Sequence, residues 1–227
     1  MKPFKSNAAS FLRHLPLFQD LNESELQQLE AIAEYKTIRR NTYIFKSGEA
    51  SDAIYFLVKG IIKIGNESAD GREVIKHILH PMAIFGEFCL SGEQERQDSA
   101  VAMEEAHLYR VNMREFQRLM KGNYKLMMNV ILMIGGRLKR VEDRLEALMF
   151  KDARERIIDF LKDSATKQGK RVGYETLIRH CYTQQDIANI TGTSRQTVTS
   201  VLNDLKKSNL IHFNRRSILI RDVAKLT

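Results

Sequence analysis

Cysteine is scarce in this chain: Cys89 and Cys181 are the only two among 227 residues. Two thiols can build neither a disulfide framework nor a four-cysteine iron–sulfur site, so no such cluster is expected and a reducing compartment is. Long apolar runs are missing too. The longest, residues 126–134, is interrupted by Asn129 and falls far short of the roughly 20 residues that cross a bilayer. No N-terminal stretch has the make-up of a secretion signal. The chain therefore reads as soluble and cytoplasmic, with no membrane partner. Histidine is thinly spread over His14, His77, His80, His107, His180 and His212, with no H-x-H pair. A metalloenzyme built on a β-barrel needs an inward cluster of histidines and carboxylates. His77 and His80, three apart on an expected strand, face opposite sides and make a poor haem or metal pair. No catalytic residue, metal or haem is expected, and the chain does not read as an enzyme.

Charge is present but unevenly placed. The chain has 36 Lys+Arg and 28 Asp+Glu, a net of +8; residues 151–227 hold 15 and 8 of these, a net of +7, which leaves +1 for residues 1–150. Lys and Arg neutralise phosphate in non-specific nucleic-acid binding, so the last third is the segment with the electrostatics for it.

Element signals change along the chain. Asn22 with Glu25 three residues on, then Leu26, Leu29, Ile32 and Ala33 on one face, predicts a short capped helix over 22–34. Brief β-branched and aromatic runs follow, TYIF, AIYFLVKG, IIKI and VIKHIL, broken by Gly48, Gly60, Gly65, Gly71 and Gly86, with Asp70-Gly71 a hairpin turn. They predict an antiparallel barrel or jelly roll ending near residues 110–113. From residue 114 helical periodicity resumes. Met127, Ile131, Ile134, Leu138, Val141, Leu145 and Leu148 keep 4-3 spacing, a seam for a symmetry mate, and Gly135-Gly136 weakens the helix in its middle. Asp152 with Glu155 then starts a new helix carrying Ile157, Ile158 and Leu161.

Residues 183–206, TQQDIANITGTSRQTVTSVLNDLK, read as two short helices joined by a tight turn, a helix-turn-helix. Thr183 caps the first; Ile187, Ala188 and Ile190 face inward; Thr191-Gly192 ends it. Ser194 caps the second, whose Val198, Val201, Leu202 and Leu205 are inward. Arg195, Gln196, Thr199 and Ser200 are left outward near its N-terminal end, where a recognition helix meets base edges. Beyond it, 210–213 and 217–220 frame a hairpin with a basic tip at Arg215 and Arg216 that can touch phosphate. The DNA-contacting candidates are Thr183, Thr193, Ser194, Arg195, Gln196, Thr197, Thr199, Ser200, Arg215 and Arg216.

In this order the β-roll signals, the seam helix and the winged helix-turn-helix resemble the cyclic-AMP receptor protein/FNR family of bacterial transcription regulators. The resemblance covers nearly the whole chain and is carried by PLFQDLNESELQQL, IFKSGEASDAIYFLVKGIIKI, FGEFCL at 85–90 and IANITGTSRQTVTSVLNDLKKSNLI. It implies an α+β fold: a β-roll effector domain over 1–120, a dimerisation helix and hinge over 121–151, and a winged helix-turn-helix over 152–227. It also implies a homodimer on an imperfect palindrome in double-stranded DNA, with RNA polymerase as a partner. Of the family's arginine, glutamate and later arginine in the recognition helix, the chain keeps Arg195 and replaces the others with Gln196 and Ser200, so the half-site is expected to differ. Gln196 suits adenine.

The same resemblance places an effector pocket at Phe85, Gly86, Glu87, Phe88, Cys89, Arg96, Ser99, Ala100, Val141 and Glu142. The family's G-E-L survives as Gly86-Glu87-Phe88. The arginine expected before Ser99-Ala100 is Asp98, which would repel a phosphate; the nearest arginine is Arg96, and Val141 and Glu142 stand where small hydroxyl residues would meet a purine. The effector is therefore left unassigned, with cyclic AMP a candidate whose phosphate contact requires a two-residue shift to Arg96 and whose purine would meet Val141 and Glu142. Cys89, beside Phe88 and Leu90, reads as a core residue more than a redox sensor. A regulatory module that acts on a protein partner is the alternative, and such a module would not footprint a palindrome.

Overall fold

The computed structural model describes residues 8–67, 73–214 and 216–226; the Asp70-Gly71 turn and Arg215 lie outside them. Helices α1 (Ala8–Arg13) and α2 (Glu23–Ile32) lead into strands β1 (Ala33–Ile38), β2 (Tyr43–Phe45), β3 (Ala53–Lys59), β4 (Ile62–Glu67), β5 (Glu73–Leu79), β6 (Ile84–Phe85), β7 (Ser99–Ala102) and β8 (Ala106–Asn112). Then come α3 (Met113–Lys121), α4 (Tyr124–Phe150), α5 (Ala153–Gln168), β9 (Lys170–Val172), β10 (Glu175–Arg179), α6 (Gln184–Thr191), α7 (Arg195–Lys207), β11 (Ile211–Asn214) and β12 (Ser217–Ile220). Packing divides the chain into two compact units. The first runs to Asn66 and resumes over Lys76–Arg140; the second takes in Glu67, residues 73–75 and everything from Val141.

Two four-stranded antiparallel sheets, ordered β1-β8-β3-β6 and β2-β7-β4-β5, make the roll. One core lies within it, where Phe45, Tyr55 and Phe85 stack with centroids 5.1–6.1 Å apart among Leu57, Ile62, Ile64 and Leu108. A second forms where Ile54, Phe56, Tyr109 and Val111 meet the helices, through Phe18, Leu29, Phe116, Leu126 and Val130. Alternation along the strands supplies both: Phe56 is in the helix-facing core and Tyr55 and Leu57 are in the inner one.

Local chemistry sets the element ends. The Asn22 side chain accepts from the backbone N–H of Glu25 at 3.0 Å, and the Glu25 carboxylate accepts from the N–H of Asn22 at 2.8 Å. The helix stops at Ile32, two residues before the sequence reading has it end, because Ala33 turns extended and pairs with Val111. Asp152 and Glu155 make the same reciprocal cap at 2.8 Å on each bond. Helix α4 is continuous through Gly135-Gly136. A Cβ on Gly135 meets nothing within 4 Å, so within one chain close packing is not the reason for that glycine.

The second unit packs Ile157, Ile158 and Leu161 of α5 with Ile187, Val198, Leu202 and Leu205 of the helix pair and Ile178, Ile211, Ile218 and Ile220 of a sheet ordered β11-β12-β10-β9. The β9–β10 hairpin has no counterpart in the sequence reading. Among the described residues no helix is long and apolar enough to cross a membrane.

One glycine is fixed by its surroundings. Gly60, in the β3–β4 turn, has φ +96° and lies where a Cβ would come 2.6 Å from the Glu105 carbonyl oxygen and 2.7 Å from the Ala106 Cα. Both partners are backbone, so neither can swing away. Gly60→Ala is expected to destabilise the chain by about 2–4 kcal/mol in urea unfolding; a change below about 0.5 kcal/mol would contradict the packing described.

Candidate nucleic-acid interface and effector pocket

The helix pair α6–α7 is held by its caps. The Thr183 hydroxyl donates to the Asp186 carboxylate at 2.7 Å and accepts from the Asp186 N–H at 3.1 Å. Gly192, at φ +63°, closes α6 in the left-handed region, as glycine does without strain. Two guanidinium groups grip that end: Arg156 donates to the carbonyls of Thr191 at 2.8 Å and Gly192 at 3.2 Å, and Arg144 donates to that of Ile190. Cations at a helix C-terminus are favoured by its partial negative charge. Ser194 then caps α7 through the N–H of Thr197 at 3.0 Å, with the two hydroxyls 2.8 Å apart.

These bonds sort the DNA-contacting candidates. Thr183, Ser194 and Thr197 spend their side chains on the scaffold, and Thr193 donates its N–H to Ala188 at 3.0 Å. Thr199 is half-buried and donates to the Gln184 side chain at 2.7 Å. Arg195, Gln196 and Ser200 are exposed and, with Thr199 and Asn203, line one shallow, solvent-open depression on α7. Asn203 and Gln184 were missed in the sequence. Asn203 stands four residues after Thr199 and seven after Gln196, a helical spacing that places it on the same face. Arg216 sits in the β11–β12 turn, where the Asn214 side chain accepts from its N–H at 2.9 Å.

The roll encloses a cavity of about 30 Å³, room for roughly two waters. Of the ten effector-pocket candidates, Gly86, Glu87, Phe88 and Arg96 line it. The others fall elsewhere: Phe85, Cys89 and Ala100 are in the core, Ser99 accepts from the Ser47 N–H at 3.0 Å, and Val141 and Glu142 are exposed on α4. Lining residues the sequence reading did not assign to it include Phe45, Ser51, Ile64 and Arg137.

Charges in the cavity are mostly matched within the chain. Arg137, on α4, pairs with the buried Glu87 carboxylate and donates to the Ile84 carbonyl at 3.0 Å. Lys76 pairs with Asp98 at 2.6 Å, so the repulsion expected from that aspartate is largely neutralised. Arg96 is 5% exposed; it donates from Nη1 to the Gly86 carbonyl at 2.9 Å and from Nη2 to that of Ala53 at 2.6 Å, with the Phe45 ring 4.4 Å away. The Cys89 thiol donates to the Gly86 carbonyl at 2.8 Å, and burial pushes it up to about 11, which keeps it protonated and unreactive at neutral pH. Among the described residues no three His, Cys, Asp or Glu side chains gather as a metal would require.

A β-roll with an internal polar cavity and a helix pair with an exposed polar reading face define a DNA-binding regulator with a sensing-type domain. Comparisons with known proteins agree. Residues 35–123 match the model of the cyclic nucleotide-binding domain, and residues 155–227 match that of the Crp-like helix-turn-helix domain. The chain is 27% identical over 210 residues to the CRP-like cAMP-activated global transcriptional regulator of Mycobacterium tuberculosis, covering 92% of this chain and 94% of that protein. It is 28% identical over 211 residues to the cyclic AMP receptor protein of Thermus thermophilus, covering 93% and 94%. The structure of FixK2 from Bradyrhizobium japonicum shares the fold with a TM-score of 0.78 and 22% identity, covering 86% of this chain and 96% of that one. The chain belongs to the Crp/Fnr family of transcription regulators.

One half-buried group in the reading unit has its titration shifted by folding. Burial pushes the His180 imidazole below its ordinary range, against a weaker opposing backbone hydrogen bond at Tyr182, and the ring stacks on Tyr182 at 5.1 Å and 10°. The folded chain therefore binds this proton less readily than the unfolded chain. Its contribution to stability is complete above the unfolded value of about 6.5 and is lost as pH falls toward the lower folded value. Urea unfolding of the wild type between about pH 7.5 and 5.5 should show this loss, and His180→Phe should reduce the slope. An equal slope in the variant contradicts the assignment.

Proposed function

We propose that the chain works as a homodimer on a pseudo-palindromic DNA site. On this reading residues 152–227 read the DNA, residues 121–151 pair the two copies, and residues 1–120 sense a small-molecule signal that biases the dimer between two arrangements. RNA polymerase is the partner through which a bound dimer changes transcription. The observation that carries the reading is the α7 face: Arg195, Gln196, Ser200 and Asn203 stand exposed side by side on a rigidly capped helix, in the segment with a net charge of +7. Two recognition helices related by a dyad enter successive major grooves about one helical turn apart.

The effector is a separate question. The names of the Mycobacterium and Thermus relatives make cyclic AMP a candidate, and Glu87 stands where the family's ribose-binding glutamate would. Against it stand the size of the cavity and the commitment of both terminal nitrogens of Arg96 to backbone carbonyls. The sensing role therefore rests on the fold and the cavity, with the ligand open.

Arg195 is the residue placed to make a two-bonded contact with guanine. Arg195→Ala should weaken binding to the selected site by roughly 1–3 kcal/mol and relax preference at one base pair in each half-site, read by random-sequence selection and anisotropy titration. Unchanged selectivity would contradict the assignment.

A further inference from the structure

Five side chains line the depression on α7, and Thr199 differs from the other four. Arg195, Gln196, Ser200 and Asn203 are exposed, whereas Thr199 is half-buried and its hydroxyl is already bonded within the chain. Its Oγ1 donates to Gln184 Oε1 at 2.7 Å and lies 2.9 Å from the carbonyl oxygen of Arg195, one helical turn back. A hydroxyl has a single proton, and both of these neighbours are acceptors. None is left to donate to a base.

The same two bonds fix how the side chain is turned. A threonine inside a helix can bond the carbonyl four residues earlier, and Gln184, the first residue of α6, holds the hydroxyl in that arrangement from across the turn. Val198, Val201 and Leu202 fill the inward face of α7, so Thr199 stands at the border between the core face and the reading face. With the oxygen branch turned to Gln184 and the helix backbone, the methyl is the branch that threonine has left for the depression. In the major groove one base offers a methyl of its own: thymine, at C5, which makes apolar contact with a threonine methyl.

We infer that Thr199 is a specificity-determining residue that reads a thymine in each half-site through its methyl group, and that Gln184 is the positioning residue that turns this methyl outward. The thymine contact rests on the reading of α7 as the recognition helix and adds an apolar reader beside the hydrogen-bonding side chains of Arg195 and Gln196. A hydroxyl reader at the same place would ask for adenine or cytosine, because its oxygen could only accept. A side chain that merely clamps α7 to α6 would ask for no base at all.

The test is a thymine scan. A duplex obtained by random-sequence selection with the full-length protein is resynthesised with each thymine of one half-site replaced singly by deoxyuridine, which removes the C5-methyl and leaves the pairing edge; affinity is read by anisotropy at fixed salt. One position should lose about fourfold in affinity, as expected for a methyl group returned to water. That loss should vanish in Thr199→Ser, which keeps the hydroxyl and lacks the methyl. It should persist in Thr199→Val, where either branch is a methyl. Gln184→Ala should shrink the thymine-to-deoxyuridine ratio at that position, whereas a purely structural role would lower affinity for both duplexes alike; an unchanged ratio overturns its positioning role. A scan in which no position depends on Thr199 overturns the thymine contact, as does a loss that disappears in Thr199→Val. Failure to select any sequence refutes DNA reading as a whole and this contact with it. Tight binding to a selected site with a flat scan refutes the thymine contact alone.

Discussion

Helix α4 carries apolar side chains on two faces, and one chain buries only one of them. Leu126 and Val130, at 1% and 4% exposure, and Met133 are packed against the helix-facing core of the roll. The other face runs through Met127, Ile131, Ile134, Leu138, Val141, Leu145 and Leu148, all exposed in the single chain. Seven large apolar groups in one stripe form a patch that soluble monomers rarely leave in water, and each is worth on the order of 1 kcal/mol or more when covered. The 4-3 spacing matches the spacing of an identical helix, so a second copy is the cover that the stripe fits best. The rest of the functional account hangs on that pairing, because two reading heads on one dyad are what a palindrome requires.

The reading unit shows how a small polar surface is made reliable. Thr183, Ser194, Thr197, Arg144 and Arg156 spend their hydrogen bonds on backbone ends and on one another, and so fix the turn between α6 and α7. Arg195, Gln196, Ser200 and Asn203 are thereby free for a ligand. Binding then costs little ordering of the backbone, which is the usual benefit of a preorganised site. In the roll the economy runs the other way. Arg96 and Glu87 spend most of their bonding capacity on the fold itself.

Features set within a few residues were legible in the sequence. The caps at Asn22, Asp152, Thr183 and Ser194 are local bonds between a side chain and a backbone N–H nearby, and the structure has each of them. The strands of the roll follow from β-branched and aromatic runs between glycines, and the exposed apolar stripe of α4 from its 4-3 spacing. What was not legible depends on partners far away in sequence. Arg137 reaches Glu87 across 50 positions, and Lys76 reaches Asp98 across 22. Neither pairing has a local pattern, so only four of the ten residues placed in the pocket by family resemblance line the cavity, and Asp98 was read as a bare charge. The β9–β10 hairpin escaped for a different reason: Lys170–Val172 is exposed throughout and lacks the apolar alternation that marks a strand.

Pairing through α4 and reading through α7 make a joint claim about stoichiometry on DNA. Native mass spectrometry of the full-length protein with its selected duplex measures it directly. The account predicts two chains on each duplex carrying both half-sites, with centres about 10 base pairs apart, and loss of that species when Leu138→Glu places a charge in the seam. One chain per duplex in the wild type, or two chains that persist in the variant, would contradict it.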